Sequence, residues 1–456
     1  MLWTAQELRD ATGGTCVDSL EVTGVSIDTR SIAAGDLFVA LRDVRDGHEF
    51  VPQAVARGAS AMVDRDLPGI ASLLRVEETL AGLTALGAAG RARSEARVIA
   101  VTGSVGKTTT KEMLKRACAA LGVTHASAAS YNNQWGVPLT LARMPRNTEW
   151  AAVEIGMNHR HEIAPLARLT QPHVCIVTTV GTAHIGHLGS PEEIAAEKAD
   201  IAAGIMPGGI AILPQDSPHF AEMADIATAH GAQVVSFGES PAASARLVAW
   251  RGAEASSEAE FDLSGRYVAL RLDQPGKHMA MNALAALAAI QAAGGNTGLA
   301  AAALSGFGAG AGRGEMRRIS TPDSGTALLL DESYNASDSA IRAALSVLTQ
   351  QKARRRIAVL GDMLELGDFG PDLHAALASD ASNAADLVYA CGPLMGHLFA
   401  ALPASKRGAH TPDAVSLAPI VAAALRDGDA VLVKGSLGMR MADIIRALTG
   451  AERKTA

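Results

Sequence analysis

The 456-residue chain is poor in aromatic residues, which make up 4%, and has only four cysteines. With so few large rings, its cores must be built from Ala, Val, Ile and Leu, as in tightly layered α/β proteins. Cys16, Cys118, Cys175 and Cys391 are scattered, and no two form a CxxC pair. That excludes a disulfide framework or structural zinc site and fits free thiols in a reducing compartment. Basic charge is not in excess: the net charge is −7, which argues against a nucleic-acid-binding surface. The one basic run, Lys352-Ala353-Arg354-Arg355-Arg356, directly precedes an apolar stretch and reads as a solvated strand entrance. No apolar run approaches the ~20 residues that cross a bilayer. The segment MLWTAQELRDATGG lacks the basic and apolar regions of a signal peptide. A cytoplasmic protein with no membrane or nucleic-acid partner is expected.

What is present is an ordinary globular mix, 48% hydrophobic and 19% charged, in a chain long enough for two to three domains. Residues 1–85 carry short strands and polar turns, and 81–97 reads as a helix leading into a new unit. From residue 97 the pattern becomes strand, glycine loop, helix. Further strand candidates are AAVEI, HVCIVTTV, GGIAILP and AQVVSFG, with helical segments between several of them. Such alternation implies a mainly parallel sheet. Residues 240–275 are more irregular and suggest a small antiparallel insertion. The glycine-rich GFGAGAGRGEMRR marks a second boundary, followed by four strand-like runs, ALLLDES, RRIAVLGDM, DLVYACG and AVLVKGS. Each ends in polar or glycine residues, which places function at the carboxyl ends of a second doubly wound sheet. The expected fold is α/β with three domains: 1–85, 86–312 and 313–456.

The strongest local signal is Thr102-Gly103-Ser104-Val105-Gly106-Lys107-Thr108, set between an apolar strand and a helix. Glycines let the backbone aim N–H groups at phosphate oxygens, and the helix N-terminus adds a favourable partial charge. Lys107 would offset the β- and γ-phosphates, and Thr108 would offer its hydroxyl to Mg²⁺. The loop is not a complete Walker A sequence, because Val101 stands where the first glycine would be. The bland alternative is a structural glycine turn.

Lys198 carries a separate argument. Ser190-Pro191-Glu192-Glu193 reads as a helix start with a capping-box pattern and Pro at the first helical position. On that helix Ile194, Lys198, Ile201 and Ile205 fall on one stripe. A lysine there is either a snorkelling stem or a partly buried amine whose pKa burial lowers. Periodicity alone does not choose between them.

The shortened TGxxGKT, followed by Thr-Thr, resembles the Mur ligase family and its folylpolyglutamate synthase relatives, and further landmarks follow in family order over nearly the whole chain. Asn132-Asn133-Gln134-Trp135-Gly136-Val137-Pro138 is similar to the family's NNxxGVP segment, which lies near the substrate. Glu154, closing AAVEI, and His184, in Gly181-Thr182-Ala183-His184, match the family's magnesium ligands. The resemblance implies that Lys198 is carbamylated and helps hold a second Mg²⁺. It makes Lys107, Lys198, His184 and Glu154 the catalytic set, and Thr108, Glu154, His184 and carbamylated Lys198 the metal ligands. ATP contacts are implied for Thr102 to Thr108, for Asn282 in HMAMNAL, for Arg313 in GRGE, and for Asp331 or Glu332 at the ribose.

Asp331-Glu332-Ser333-Tyr334-Asn335-Ala336, LGDMLELG (360–367) and Lys434-Gly435-Ser436 resemble motifs of one branch of the family. That branch joins D-alanyl-D-alanine to UDP-N-acetylmuramoyl-tripeptide through an acyl phosphate, releasing ADP in peptidoglycan synthesis. Tyr334 and Asn335 are then expected near nucleotide or amine substrate. Ser26, Asp28 and Arg30 in SIDTR, with Asp46 and His48 in DGH, are expected to hold the uridine nucleotide. Departures from the pattern are Ser337-Asp338 in place of Asn-Pro, Leu437 in place of Arg, and Asn158-His159-Arg160-His161-Glu162-Ile163 in place of an NHPGEI-like run. His410-Thr411-Pro412-Asp413-Ala414 resembles a segment of a sibling ligase but is out of place, without the accompanying DNPR. The expected ligands are ATP, Mg²⁺, the tripeptide nucleotide and the dipeptide, acting on a monomer. The alternatives are a sibling amide ligase, of MurE or folylpolyglutamate synthase type, and a P-loop ATPase without ligation.

Overall fold

Four short strands, Gly24–Ser26, Asp36–Val39, Ser60–Val63 and Leu73–Arg75, form a parallel sheet at the start of the chain. A two-stranded antiparallel pair, Trp3–Thr4 with Glu21–Val22, lies beside it. This is a computed structural model that describes residues 1–308 and 310–450. Ala309, inside the expected glycine-rich boundary, and residues 451–456, at the end of the expected third domain, lie outside the described residues.

The helix expected over 81–97 is Thr79–Ala92, which starts two residues earlier and ends five earlier. It leads into a nine-stranded sheet. Seven strands of that sheet are parallel to their neighbours, from the edge strand Thr124–Ala126 across to Ala245–Gly252. Arg97–Thr102 is central and pairs with both Trp150–Glu154 and Val174–Val177. Its residues 98–102 are fully buried, as a strand covered by helices on both faces must be. The expected insertion is a meander, Ala245–Gly252, Ser257–Leu263 and Arg266–Leu272, and it extends the same sheet by antiparallel pairing.

The third unit is a six-stranded sheet in which Glu315–Ser320 is antiparallel to Thr326–Glu332 and the other pairs are parallel. Scarce aromatics are offset by alanine. Helix Lys277–Ala292 is buried from Met279 to Ile290 apart from half-buried Met281, and its alanines allow close approach to the sheet. One continuous apolar cluster links the central unit, through Val153, Ile185 and Ile194, to Leu330, Ile341 and Leu360 of the third.

The basic run forms no patch. Arg355 makes a two-pronged bond to buried Asp429, Arg354 pairs with Asp427, and Lys352 pairs with Glu254. HTPDA is a strand end and helix start, in which Asp413 caps Ala414–Ala424 by accepting from the Ser416 N–H at 2.8 Å. Among the described residues no helix is long and apolar enough to cross a membrane.

Candidate active site

The carboxyl end of Arg97–Thr102 opens into the phosphate loop, and Gly106 stands at φ +89 directly before helix Lys107–Ala119. Only glycine adopts that conformation without strain, and a Cβ there would also press on the Asn282 side chain. Asn282, from a different helix, is thus seated on the loop. Lys107 folds back, its Nζ donating to the Gly103 carbonyl at 2.6 Å. Burial lowers the Lys107 pKa, opposed by Glu154 and reinforced by Arg313.

Glu154 ends the neighbouring strand and is 1% exposed. Its Oε1 accepts from Asn132 Nδ2 at 2.8 Å, whereas Oε2 is buried without a hydrogen-bond partner. A buried carboxylate oxygen left unpaired is costly unless something positive meets it. Thr108 lies nearby in the same cavity, its hydroxyl 3.4 Å from Ser130 Oγ. Asn133 also lines the cavity, but its Oδ1 is engaged with the backbone N–H groups of Trp135 and Gly136 at the next helix start.

His184 occupies the left-handed region at φ +66, and its Nδ1 lies 2.5 Å from Glu365 Oε2. Desolvation lowers the His184 pKa, and the Glu365 contact opposes this. Lys198 sits below, 1% exposed, with no hydrogen bond to its Nζ among the described residues. Burial drives its pKa well below the ordinary lysine value, with Lys107 pushing the same way and Glu197 opposing. The helix carrying it starts as expected. Ser190 caps it by accepting from Glu193 N–H, while the Glu193 carboxylate turns to Arg160. Next to Lys198, Glu197 accepts from the backbone N–H groups of His161, Glu162 and Ile163. The altered 158–163 segment is therefore held by a buried carboxylate at the start of helix Ile163–Thr170.

The opposite wall comes from the third unit. Parallel pairing sets Glu332 beside Lys434, whose Nζ donates to Glu332 Oε2 at 3.2 Å and to the Asn335 carbonyl at 3.0 Å. Glu332 lines the cavity; Asp331 does not, being buried and committed to the N–H and hydroxyl of Ser333. Arg313 lies 3.8 Å over the Tyr334 ring, and both donate to Ser130 Oγ. The LGDMLELG run crosses back to the central unit, where the Gly186 N–H donates to the Glu365 carbonyl at 3.1 Å.

Together these walls enclose a cavity of about 770 Å³ with a further opening to solvent. It gathers Ser104 to Thr108, Asn132, Asn133, Glu154, His184, Asn282, Arg313, Glu332, Tyr334 and Asn335. Thr102 is fully buried beneath the loop, and neither it nor Lys198 lines the cavity.

The uridine candidates also lie elsewhere. Ser26 ends one strand of the first sheet, and the Asp28–Arg30 pair follows it, the Asp28 carboxyl held low by hydrogen bonds from Arg30. His48 is buried between Asp46 (2.6 Å) and Asp64 (3.1 Å), just beyond the next strands of that sheet. The two groups share the carboxyl edge of the sheet, and no direct contact joins them among the described residues.

Three contributors carry no signal that sequence reasoning used. Ser130 precedes the Asn pair in an unremarked loop. Glu365 sits inside a motif that named no role for it. Lys111, fully buried, donates to the Ser127 and Ala129 carbonyls and pairs with Glu112. Only its spacing of four from Lys107, on the same helix face, could have pointed to it.

The donor set suits a hard cation. Among the described residues no three His, Cys, Asp or Glu side chains form a ready metal cluster. A cation here would therefore take part of its coordination from phosphate and carboxylate oxygens, as Mg²⁺ does. The orphaned Glu154 Oε2, in the cavity that Thr108 also lines, fits that demand.

Three family models match in succession: Mur ligase family, catalytic domain (21–119), Mur ligase middle domain (101–290) and Mur ligase, glutamate ligase domain (312–437). The UDP-N-acetylmuramoyl-tripeptide--D-alanyl-D-alanine ligase of Synechocystis sp. is 34% identical, covering 94% of this chain and 93% of its own. That of Bacillus subtilis is also 34% identical, with 94% and 93% covered. The crystal structure of MurF from Acinetobacter baumannii superposes with a TM-score of 0.87 at 31% identity, covering 98% of both chains.

Proposed function

The chain belongs to the Mur ligase family, and from that premise we propose that it joins D-alanyl-D-alanine to UDP-N-acetylmuramoyl-tripeptide with ATP, forming ADP and the pentapeptide nucleotide. The observation that carries this reading is the shared cavity. A phosphate loop and a buried unpaired carboxylate oxygen stand on one wall, with Glu332 and Lys434 on the other. An ATPase without ligation has no need of the second wall.

In the first step an oxygen of the tripeptide's terminal carboxylate forms a bond to the γ-phosphorus as the β–γ bridging P–O bond breaks and ADP leaves. In the second the dipeptide amine attacks the acyl carbon, the C–O bond to phosphate breaks, and the amine loses a proton. No side-chain nucleophile is needed, so the protein's task is positioning and charge stabilisation. Lys107 and the loop N–H groups face the phosphates. Arg313 reaches the same space, and Glu332, the cavity-lining member of the Asp331–Glu332 pair, takes the ribose. Asn282 on Gly106 borders the base. The two walls exclude water, which would hydrolyse the acyl phosphate.

Mg²⁺ would be held by Thr108, Glu154 and His184, and when bound it offsets phosphate charge. Lys198, buried and unpaired, is suited to react as a neutral amine with carbon dioxide, and its carbamate would supply a further oxygen ligand. Ser26, Asp28, Arg30, Asp46 and His48 would hold the uridine nucleotide on the 1–85 unit. The 86–312 unit would bind ATP and the 313–456 unit close over it, in a cytoplasmic monomer.

The test is phosphate release from Mg-ATP with the tripeptide nucleotide, with and without D-alanyl-D-alanine, alongside the product mass. Release that requires both, with the pentapeptide mass, supports the reading. Release indifferent to the nucleotide overturns it.

A further inference from the structure

The Ser130 hydroxyl is met by three side chains from three parts of the chain. Arg313 Nη2 donates to it at 2.9 Å from the very start of the third unit. The Tyr334 hydroxyl donates at 3.0 Å from the turn after strand Thr326–Glu332, and Thr108 Oγ1 of the phosphate loop lies 3.4 Å away. A serine hydroxyl has two lone pairs and one proton. With both lone pairs taken by Arg313 and Tyr334, the proton points to Thr108. The Thr108 oxygen then keeps one lone pair and its own proton unspent and facing the cavity.

The loop that bears Ser130 is fixed independently. Buried Lys111, from the phosphate-loop helix, donates to the Ser127 and Ala129 carbonyls on either side of a left-handed turn at Ala129 (φ +45). Ser127 Oγ accepts from the Glu154 backbone N–H at 3.1 Å. Ser130 is therefore tied to the phosphate-loop helix and the Glu154 strand on its own side. It presents its one hydroxyl to the incoming Arg313–Tyr334 pair, itself preassembled by the guanidinium lying over the ring.

We propose that Ser130 is a positioning residue, a single-hydroxyl latch that orients Thr108 toward the phosphates when Arg313 and Tyr334 dock. This deepens the ligase reading and rests on it. Arg313 then acts only when the third unit is in place, so phosphate contact and closure become one event. Tyr334, whose hydroxyl is spent on Ser130, works through the latch rather than by touching substrate.

The experiment compares the full-length chain with Ser130→Ala, Ser130→Thr, Tyr334→Phe and the double variant Ser130→Ala/Tyr334→Phe. Each is measured for ligase kinetics, ADP binding without metal, and radius of gyration by small-angle X-ray scattering with ADP bound. Losing two to three neutral or singly charged hydrogen bonds should lower kcat/KM for ATP by about ten- to thirtyfold. KM for D-alanyl-D-alanine should change far less. Ser130→Thr should restore most of the loss, and the double variant should be little worse than Ser130→Ala alone. The scattering radius with ADP should rise in Ser130→Ala and not in Ser130→Thr.

Additive losses in the double variant, or an unchanged radius with kinetics within twofold of the parent, would overturn the latch. So would uniform losses that Ser130→Thr does not rescue, because they would mark a merely structural role. The scattering and ADP arms need no turnover, so they report on the latch even if the parent chain proves to ligate another amine. A parent chain that releases phosphate without any nucleotide-linked peptide would instead sink the ligase reading.

Discussion

At Gly186 the central and third units touch backbone to backbone. Its N–H donates to the Glu365 carbonyl at 3.1 Å, and a Cβ built on it would stand 2.5 Å from the Gly367 nitrogen and 2.8 Å from the Glu365 oxygen. Neither atom is the tip of a flexible side chain, so the loop carrying both must retreat. Gly186 is in a short helix, Ile185–Leu188, and is not at positive φ; alanine there is comfortable in the open chain. The conflict exists only when the units are docked.

Overpacking costs about 1–3 kcal/mol, and a lost hydrogen bond about 1 kcal/mol. Even at the low end, about 2 kcal/mol, docking becomes roughly thirtyfold less favourable. Gly186→Ala should therefore lower kcat/KM about thirtyfold, leave the melting temperature of the ligand-free chain nearly unchanged, and increase the scattering radius with ADP. A variant with parental turnover and an unchanged radius would refute the docking argument, because the added methyl has nowhere else to go.

Glu154→Gln keeps the Asn132 bond through its oxygen but removes the negative charge from the unpaired position. Activity should fall at least about a hundredfold, and Mg²⁺ should cease to raise the melting temperature in the presence of ADP; persistence of that rise would refute the role. Lys198→Met removes a buried, unpaired amine and should raise thermal stability while abolishing ligation. In the folded chain Lys198 loses its proton at a lower pH than in the unfolded chain, so between the two pKa values the unfolded state holds more protons. Stability then rises with pH through that window, up to about 10.4, and the substituted chain should lose that part of the slope in pH-dependent denaturant titrations. Burial pushes the Cys118, Cys175 and Cys391 thiols up to about 12. A thiol reagent should modify at most Cys16 in the native chain and all four after denaturation, and fast labelling of more than one would contradict the packing.

Every strand expected in the central and third units exists, and outside the 240–275 insertion, whose strands were not read one by one, the three that went unread are all sheet edges. Thr124–Ala126 closes one side of the nine-stranded sheet, and Glu315–Ser320 and Arg407–Thr411 are the two edges of the six-stranded one. A covered strand must be apolar on both faces and announces itself as an unbroken run. An edge strand is solvated along one side, as in RGAHT, and carries no such run. The phosphate loop was legible because its glycines interrupt an apolar strand directly before a helix, whereas Glu154 became a candidate only through the family resemblance and periodicity left Lys198 open between a snorkelling stem and a buried amine. Ser130 breaks nothing. Its importance comes from Arg313 and Tyr334, about two hundred residues away in sequence, and no local pattern encodes them.

The pairing of Glu332 with Lys434 shows what the motif letters leave out. The two residues are 102 positions apart, in strands adjacent in the sheet but separated in sequence by two other strands of it, Arg355–Gly361 and Leu387–Cys391, and the edge strand Arg407–Thr411. Parallel register sets Asp331 opposite Val433 and Glu332 opposite Lys434. Because side chains alternate faces, a slip of one residue would turn Glu332 away from the cavity and bring Asp331 into it. The division of labour within Asp331–Glu332 is therefore decided by register rather than by which carboxylate is chemically suited. The apolar residues that fix the register, Leu328, Leu329 and Leu330 against Ala430, Val431 and Leu432, hold the cavity-facing carboxylate in place from outside the cavity.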